Sequence, residues 1–245
     1  MQDSVAVVPG AGLSEGARLI DTFVAPTKTF TDIFRSAAIW GPLVIMLFCS
    51  VFYSYSIQKK VGFDAVSQQQ LEKVPAQAEK IDAMPPDQKA RVMQMRAKGT
   101  EFTTYGFAVL ILIFVAIHAL ILWASFNFVL GAKTTYPQVF AVIMYAGLPK
   151  IFVSIIGSIL LWANVGIDNF DVQNPVGTNI GYFLSGPVAK AAGSFFDIFG
   201  LWSLAVLVIG MAVISKKTTA QSAAVVVGWW VLGLLISVGM TAAFA

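Results

Sequence analysis

The sequence predicts an all-α membrane protein, a bundle of about five transmembrane helices. Three observations predict it. Of 245 residues, 57% are hydrophobic and only 12% are charged, where a soluble domain carries about 25% charge. The mean hydropathy is +0.76. The apolar residues fall into five long, nearly uncharged runs separated by more polar connections.

A bilayer core about 30 Å thick needs about 20 apolar residues at 1.5 Å each. Segments at about 37–57, 104–130, 137–163, 195–215 and 221–244 meet that length. Each must be helical, because hydrocarbon offers a backbone N–H or C=O no other partner. Trp40, Tyr53, Tyr55, Tyr105, Tyr136 and Trp162 stand near segment ends, where amphipathic rings prefer to lie. The stretch 175–192 is apolar as well, but its Pro and Gly residues predict a re-entrant or interfacial segment rather than a sixth span.

Ahead of the first span, residues 1–25 read as a flexible tail, followed by a membrane domain over 26–245. The N-terminus lacks a basic region followed by an apolar run, so no signal peptide is expected and the first span should act as an uncleaved anchor. Residues 26–37 predict a short interfacial helix. Phe30, Ile33, Phe34 and Ala37 recur at helical spacing while Lys28, Asp32 and Arg35 face elsewhere. Pro26 suits a helix start, and Thr29 with Asp32 resembles a capping box. Phe30, Ile33 and Phe34 are therefore the candidate interfacial anchor; packing against the bundle is the alternative.

Between the first two spans, 58–103 predicts a helical extramembrane hairpin. Its first arm carries Val66, Leu71, Val74, Ala78 and Ile81. Pro85-Pro86 breaks the run, Pro86 can open the next helix and Gly99 can end it.

Orientation follows the basic residues. With the N-terminus inside, Arg18, Lys28, Arg35, Lys133, Lys216 and Lys217 are cytoplasmic, while 164–194 holds only Lys190 beside Asp168 and Asp171. The 58–103 segment holds eight Lys/Arg interspersed with six acids; short connections weigh most in the rule, so the N-terminus is placed in the cytoplasm and the C-terminus outside.

Several function classes lose support at once. A net charge of +3 without a Lys/Arg block leaves no footprint for nucleic acid. The single cysteine, Cys49, cannot close an intrachain disulfide. The nucleotide-loop, zinc-protease and serine-hydrolase motifs are missing, and one histidine cannot build a histidine metal cluster. No cofactor, metal or catalytic residue is expected.

Intramembrane polar residues are the better lead, since a charge at mid-bilayer costs at least about 2.5–3.5 kcal/mol. Lys150, directly after Pro149, falls about 20 Å from the inner boundary of the third span. Asp197 lies near the outer end of the fourth span and His118 in the inner half of the second. Lys150, Asp197 and His118 are the candidate polar site, with a Lys150–Asp197 pair within reach if their helices touch; snorkelling of Lys150 to the headgroups is the alternative. On the fifth span Ala224, Gly228, Gly233 and Ser237 have the small-residue spacing that lets helices approach closely, within the bundle or in a homo-oligomer.

FVAPTKTFTDIFRSAAIWGPLVI, with Pro26, Phe30 and Pro42, resembles the opening of bacterial Yip1-domain proteins. FFDIFGLWSLAVLVIGMAVIS is similar to their fourth span, with Asp197 among Phe195, Phe199 and Trp202, and the Trp- and Gly-bearing fifth span extends the likeness over 20–245. The resemblance implies a five-helix membrane domain with a cytoplasmic N-terminus, acting in bacteria as a non-enzymatic interaction or membrane-organising component. Eukaryotic relatives are trafficking factors that associate with Rab-type GTPases and with each other. This sequence has a shorter segment ahead of its first span and carries the extra hairpin, so GTPase binding is not carried over. The expected partners are the lipid bilayer and a protein or a second copy. A small transporter or channel using Lys150 and Asp197 stands as the alternative, and a lipid-handling protein as the second.

Overall fold

The computed structural model describes residues 12–167, 170–172 and 174–244. Among these residues the elements are helical, apart from one isolated bridge between Asn179 and Asp197. Two short helices precede the first span: α1 (Glu15–Val24) and α2 (Pro26–Asp32). The Ser14 side chain caps α1 by accepting from the Ala17 N–H at 3.2 Å. Pro26 opens α2 at a position where its missing N–H costs nothing. Ala25 alone joins them, so the two helices fold back on each other.

The first span is α3 (Trp40–Lys60). Gly62, at φ +85°, turns the chain into α4 (Phe63–Glu72), followed by α5 (Pro75–Asp82) and α6 (Pro86–Ala124). The hairpin expected over 58–103 therefore has three helical arms. Pro75 starts the second arm, and Gly99 does not end α6. A helix ends on glycine when that residue turns left-handed; here α6 runs through Gly99 for 39 residues, about 58 Å. A π-helical turn, Ser125–Val129, closes it.

The third span consists of α7 (Tyr136–Ala146), a 3₁₀ turn (Leu148–Lys150) and α8 (Ile151–Trp162). After a 3₁₀ turn at Ile180–Phe183 and the short α9 (Pro187–Ser194), the chain ends in α10 (Ile198–Ser215) and α11 (Thr219–Phe244). Five helical stretches are long and apolar enough to span a bilayer: Trp40–Lys60, Val109–Val129, Tyr136–Trp162, Ile198–Ser215 and Thr219–Ala243. The protein is an all-α, multi-pass membrane bundle.

The third and fourth spans are central. Half of the third span's apolar window is buried, against 6% for the fifth. The main core joins Leu122 and Phe126 of the second span, Val139, Val142 and Tyr145 of α7 and Met211 of α10. Phe30 and Ile33 belong to that core, at 0% and 1% exposure. They are thus not an interfacial anchor: a side chain enclosed by protein has no surface left for lipid. Gly210 is what admits Phe30. A Cβ there would come within 2.6 Å of Val142 and 3.0 Å of the Phe30 ring. Of the expected anchor, only Phe34 is exposed, at 46%.

α1 inserts alongside the third span. Tyr145 donates to the Glu15 carboxylate at 2.9 Å, and the Phe23 ring packs edge-on against Phe152 (5.8 Å) and Trp202 (5.6 Å). Tyr145 and Phe152 lie about 14 Å and about 24 Å along the helix from Tyr136. Residues 15–24 are thus an embedded helix rather than a flexible tail, and α1 with α2 is a re-entrant hairpin. Residues 1–11 lie outside the described residues.

A second, smaller core lies at the opposite ends of the spans. Ile57, Phe63, Val66, Leu161 and Phe170 pack together there. Lys73 pairs with Asp171 at 2.7 Å, and Lys60 donates to the Asn164 side chain at 3.0 Å. The two connections on that side therefore form one extramembrane layer, braced by the amino-terminal part of α6, which packs on α4.

Candidate functional site

The third span breaks where the sequence placed its lysine. Pro149 cannot donate a hydrogen bond, so the helix tightens into the Leu148–Lys150 turn, where the Lys150 N–H returns to the Gly147 carbonyl at 3.1 Å. Gly147 lets α3 come close at this break: a Cβ there would meet the Met46 methyl at 2.9 Å. The turn packs against α10. The Lys150 side chain emerges on the surface of the bundle. It makes no ion pair or hydrogen bond among the described residues, and its charge acts on both Asp197 and His118. No hydrogen bond or ion pair among the described residues joins Lys150 to Asp197 or His118.

Asp197 has work of its own. It is the N-cap of α10, accepting from the Gly200 N–H at 2.8 Å. Its other oxygen accepts from the Thr178 hydroxyl, and the Ile198 N–H donates to the Thr178 carbonyl at 3.0 Å. One carboxylate thus holds the connection after the third span onto the start of the fourth, at a helix terminus that favours negative charge. Asp197→Ala should cost about 1 kcal/mol through the lost cap and free the 174–183 segment. Faster amide exchange of that segment, with little change in α7, is the expected result.

His118 is half-buried on α6 and makes no hydrogen bond among the described residues. Asn127, also in the second span, is fully engaged. Its amide donates to the Thr134 carbonyl (3.0 Å) and hydroxyl (3.1 Å) and accepts from the Thr134 N–H (2.9 Å). It pins the tight connection to the third span.

On α11 the expected packing set is displaced. Ala224 and Gly228 are exposed, and nothing lies within 4 Å of where a Gly228 Cβ would stand. Gly233 is approached only by Phe195, at 3.9 Å, and Ser237 is half-buried. The seam actually used starts at Ser222, which donates to the Val208 carbonyl at 2.7 Å, and Val226, at 2% exposure. It continues at Trp230, whose ring meets Phe195 and Phe196 at 6.0 and 5.5 Å. Trp229, on the neighbouring face, donates to the Ser125 hydroxyl at 2.9 Å.

The largest polar construction lies in the re-entrant hairpin and escaped the sequence reading. Arg18 is completely buried. Its Nε donates to the Asp32 carboxylate at 2.7 Å, and its Nη2 to the carbonyls of Asp32 (3.2 Å) and Ser36 (2.9 Å). Arg35 grips the same carboxylate from the exposed side, with Nε and Nη2 each at 2.9 Å. The Arg18 carbonyl accepts from Thr22 (2.7 Å) and Thr29 (2.9 Å). The two helices are therefore joined by a buried ion pair and by the Thr29 hydroxyl bond, while the Thr22 bond stays within α1. Arg18 Nη1 lies 3.6 Å from Glu15, whose carboxylate also accepts from Tyr145 of the third span. A buried guanidinium is tolerable only when so paired.

Comparison with known proteins agrees with this architecture. The Yip1 domain family matches residues 20–240. No curated protein and no solved structure matches the chain.

Proposed function

The chain belongs to the Yip1 domain family, and from that premise we propose that it is a non-enzymatic interaction component that organises the membrane it spans. The observation that carries this reading is the extramembrane layer. α6 continues for more than 20 residues beyond the start of its span at Val109, about 34 Å of rigid helix. That rod supports α4, α5 and a separate small core, and it presents Met95 and Phe102 at 72% and 78% exposure. Such a layer is a surface for a protein partner or for a second copy. The helices ahead of the first span serve the bundle instead, since Arg18, Phe30 and Ile33 are buried in it. We place this layer outside and the N-terminus in the cytoplasm of a bacterial inner membrane, because Lys133, Lys216 and Lys217 occupy short connections on the N-terminal side. A photo-crosslinking residue at Phe102 should capture a single defined partner or a second copy, while the same residue at the lipid-facing Val24 should capture neither. Equal capture at both positions would refute the reading.

A second reading, a small transporter, is favoured by one observation: a lysine with no ion pair at the break of a central span, in electrostatic reach of Asp197 and His118. Proteoliposome flux discriminates between the two. Under the interaction reading, Lys150→Met leaves permeability unchanged and the protein as stable or more stable, because the substitution removes a charge from apolar surroundings. Flux abolished by Lys150→Met would establish transport instead.

A further inference from the structure

On the membrane face that carries the ends of α2 and α10, a pocket of about 410 Å³ opens between the connections. Phe34, Lys133, Gln138, Ser215, Lys216 and Lys217 line it. These residues come from three separate stretches of the chain, around Phe34, 131–138 and 214–217. Lys133 follows the second span, Gln138 lies in the first turn of the third, Ser215 ends the fourth, and Lys216 and Lys217 precede the fifth. The pocket therefore sits where hydrocarbon gives way to headgroups.

Its charge is one-sided. Lys133, Lys216 and Lys217 make no salt bridge among the described residues. Asp32, the acid nearest in sequence to Phe34, is already held by Arg18 and Arg35. The helix starts nearby are also provided for. Thr135 and Gln138 form a capping box on α7, and Thr218 with Gln221 closes the start of α11. What remains unneutralised is the charge of the three ammonium groups. Lys216 is fixed in place: it caps α10 in a left-handed conformation, φ +55°, and its ammonium stands 5.8 Å above the Phe34 ring. Phe34, half exposed, gives the pocket an apolar wall beside its cations.

Three lysines at headgroup depth, one resting on an aromatic face, suit a phosphate whose other end is apolar. Lysine binds phosphate as a mobile point charge, and a pocket of this size accommodates a headgroup with its glycerol. We propose that this pocket binds the phosphate headgroup of an anionic phospholipid, with the lipid's glycerol end against Phe34. A soluble phosphate would use the same lysines but would gain nothing from Phe34 or from the membrane level.

The test titrates the full-length protein in neutral detergent with dioctanoyl phosphatidic acid, dioctanoyl phosphatidylcholine or inorganic pyrophosphate, counting adducts by native mass spectrometry. One phosphatidic acid per chain should bind, at concentrations where phosphatidylcholine does not. Each of Lys133→Gln, Lys216→Gln and Lys217→Gln should weaken it about fivefold, and the triple variant about a hundredfold. The triple Lys→Arg variant should retain binding, and Lys80→Gln, in the opposite extramembrane layer, should change nothing. Should the triple Gln variant fail to fold, the single variants decide. Pyrophosphate binding as tightly as the lipid, with the same lysine dependence, would reassign the pocket to a soluble phosphate and overturn the lipid. Equal binding of phosphatidylcholine, or phosphatidic acid binding indifferent to the three lysines, would overturn the pocket's role altogether.

Discussion

Replacing Arg18 with methionine is expected to destabilise the detergent-solubilised protein by about 3 kcal/mol. Removing one partner of a buried ion pair costs about 3–5 kcal/mol, because the other charge is left behind in a poorly solvating place. Here Arg35 still holds the Asp32 carboxylate from outside, so the loss belongs at the lower end. The Ser36 carbonyl loses its donor as well. Methionine keeps the length of the stem, so the effect is electrostatic rather than a cavity. The double variant Arg18→Met/Asp32→Leu should recover most of the loss, since an apolar replacement of the whole pair is commonly neutral or better. Equilibrium unfolding in mixed micelles measures both. A silent Arg18→Met would mean that the hairpin is not held by this pair.

Phe30→Ala should cost about 3 kcal/mol, the lower part of the range for removing a buried phenyl ring. Lipid rather than water surrounds the unfolded helices, so little of the loss is hydrophobic transfer. Most of it is the cavity and the missing contacts among Val142, Gly210 and the rest of the core. The contrast with Phe34→Ala is diagnostic. Phe34 is 46% exposed, so its removal should leave unfolding nearly unchanged. If both residues anchored the protein at an interface, the two variants would behave alike.

The five spans were legible because length and lack of charge leave a bilayer-crossing helix few alternatives. The helix starts at Pro26 and Pro86 were equally plain, since each rests on the missing N–H of proline. The environment of α2 was not. Phe30 and Ile33 make the same stripe at helical spacing whether the helix lies on headgroups or on another helix. α1 was hidden for a related reason: Glu15, Arg18 and Asp21 within ten residues read as solvated chain until Asp32 and Tyr145 are known to meet them. Its signals were Ser14 as a cap and the apolar pair Leu19 and Phe23. On α11 every face is apolar, so spacing alone could not separate the seam of Ser222 and Val226 from the open face of Ala224 and Gly228. Lys150 and Asp197 were placed at compatible depths, but Asp197-x-x-Gly200 was also a cap signal, and in the structure that bond occupies the carboxylate.

The buried pair also bears on function. In this chain the helices ahead of the first span close a seam of the bundle, and the exposed extramembrane surface comes from the 58–103 and 164–197 connections instead. The interaction surface proposed for this chain therefore lies on the face opposite the helices ahead of the first span.

Everything turns on the hairpin lying within the bilayer, and Val24 reports it directly. Val24 ends α1 with 73% of its surface exposed, one residue beyond the Phe23 that touches Phe152 and Trp202. A nitroxide on Val24→Cys, in a Cys49→Ser background and in nanodiscs, can be tested with lipid-soluble and aqueous relaxation agents. Relaxation by oxygen dissolved in the acyl chains, with little effect of aqueous nickel chelate, is the predicted result. A label relaxed by the nickel chelate as strongly as one on Lys80→Cys would place the hairpin in water and contradict it.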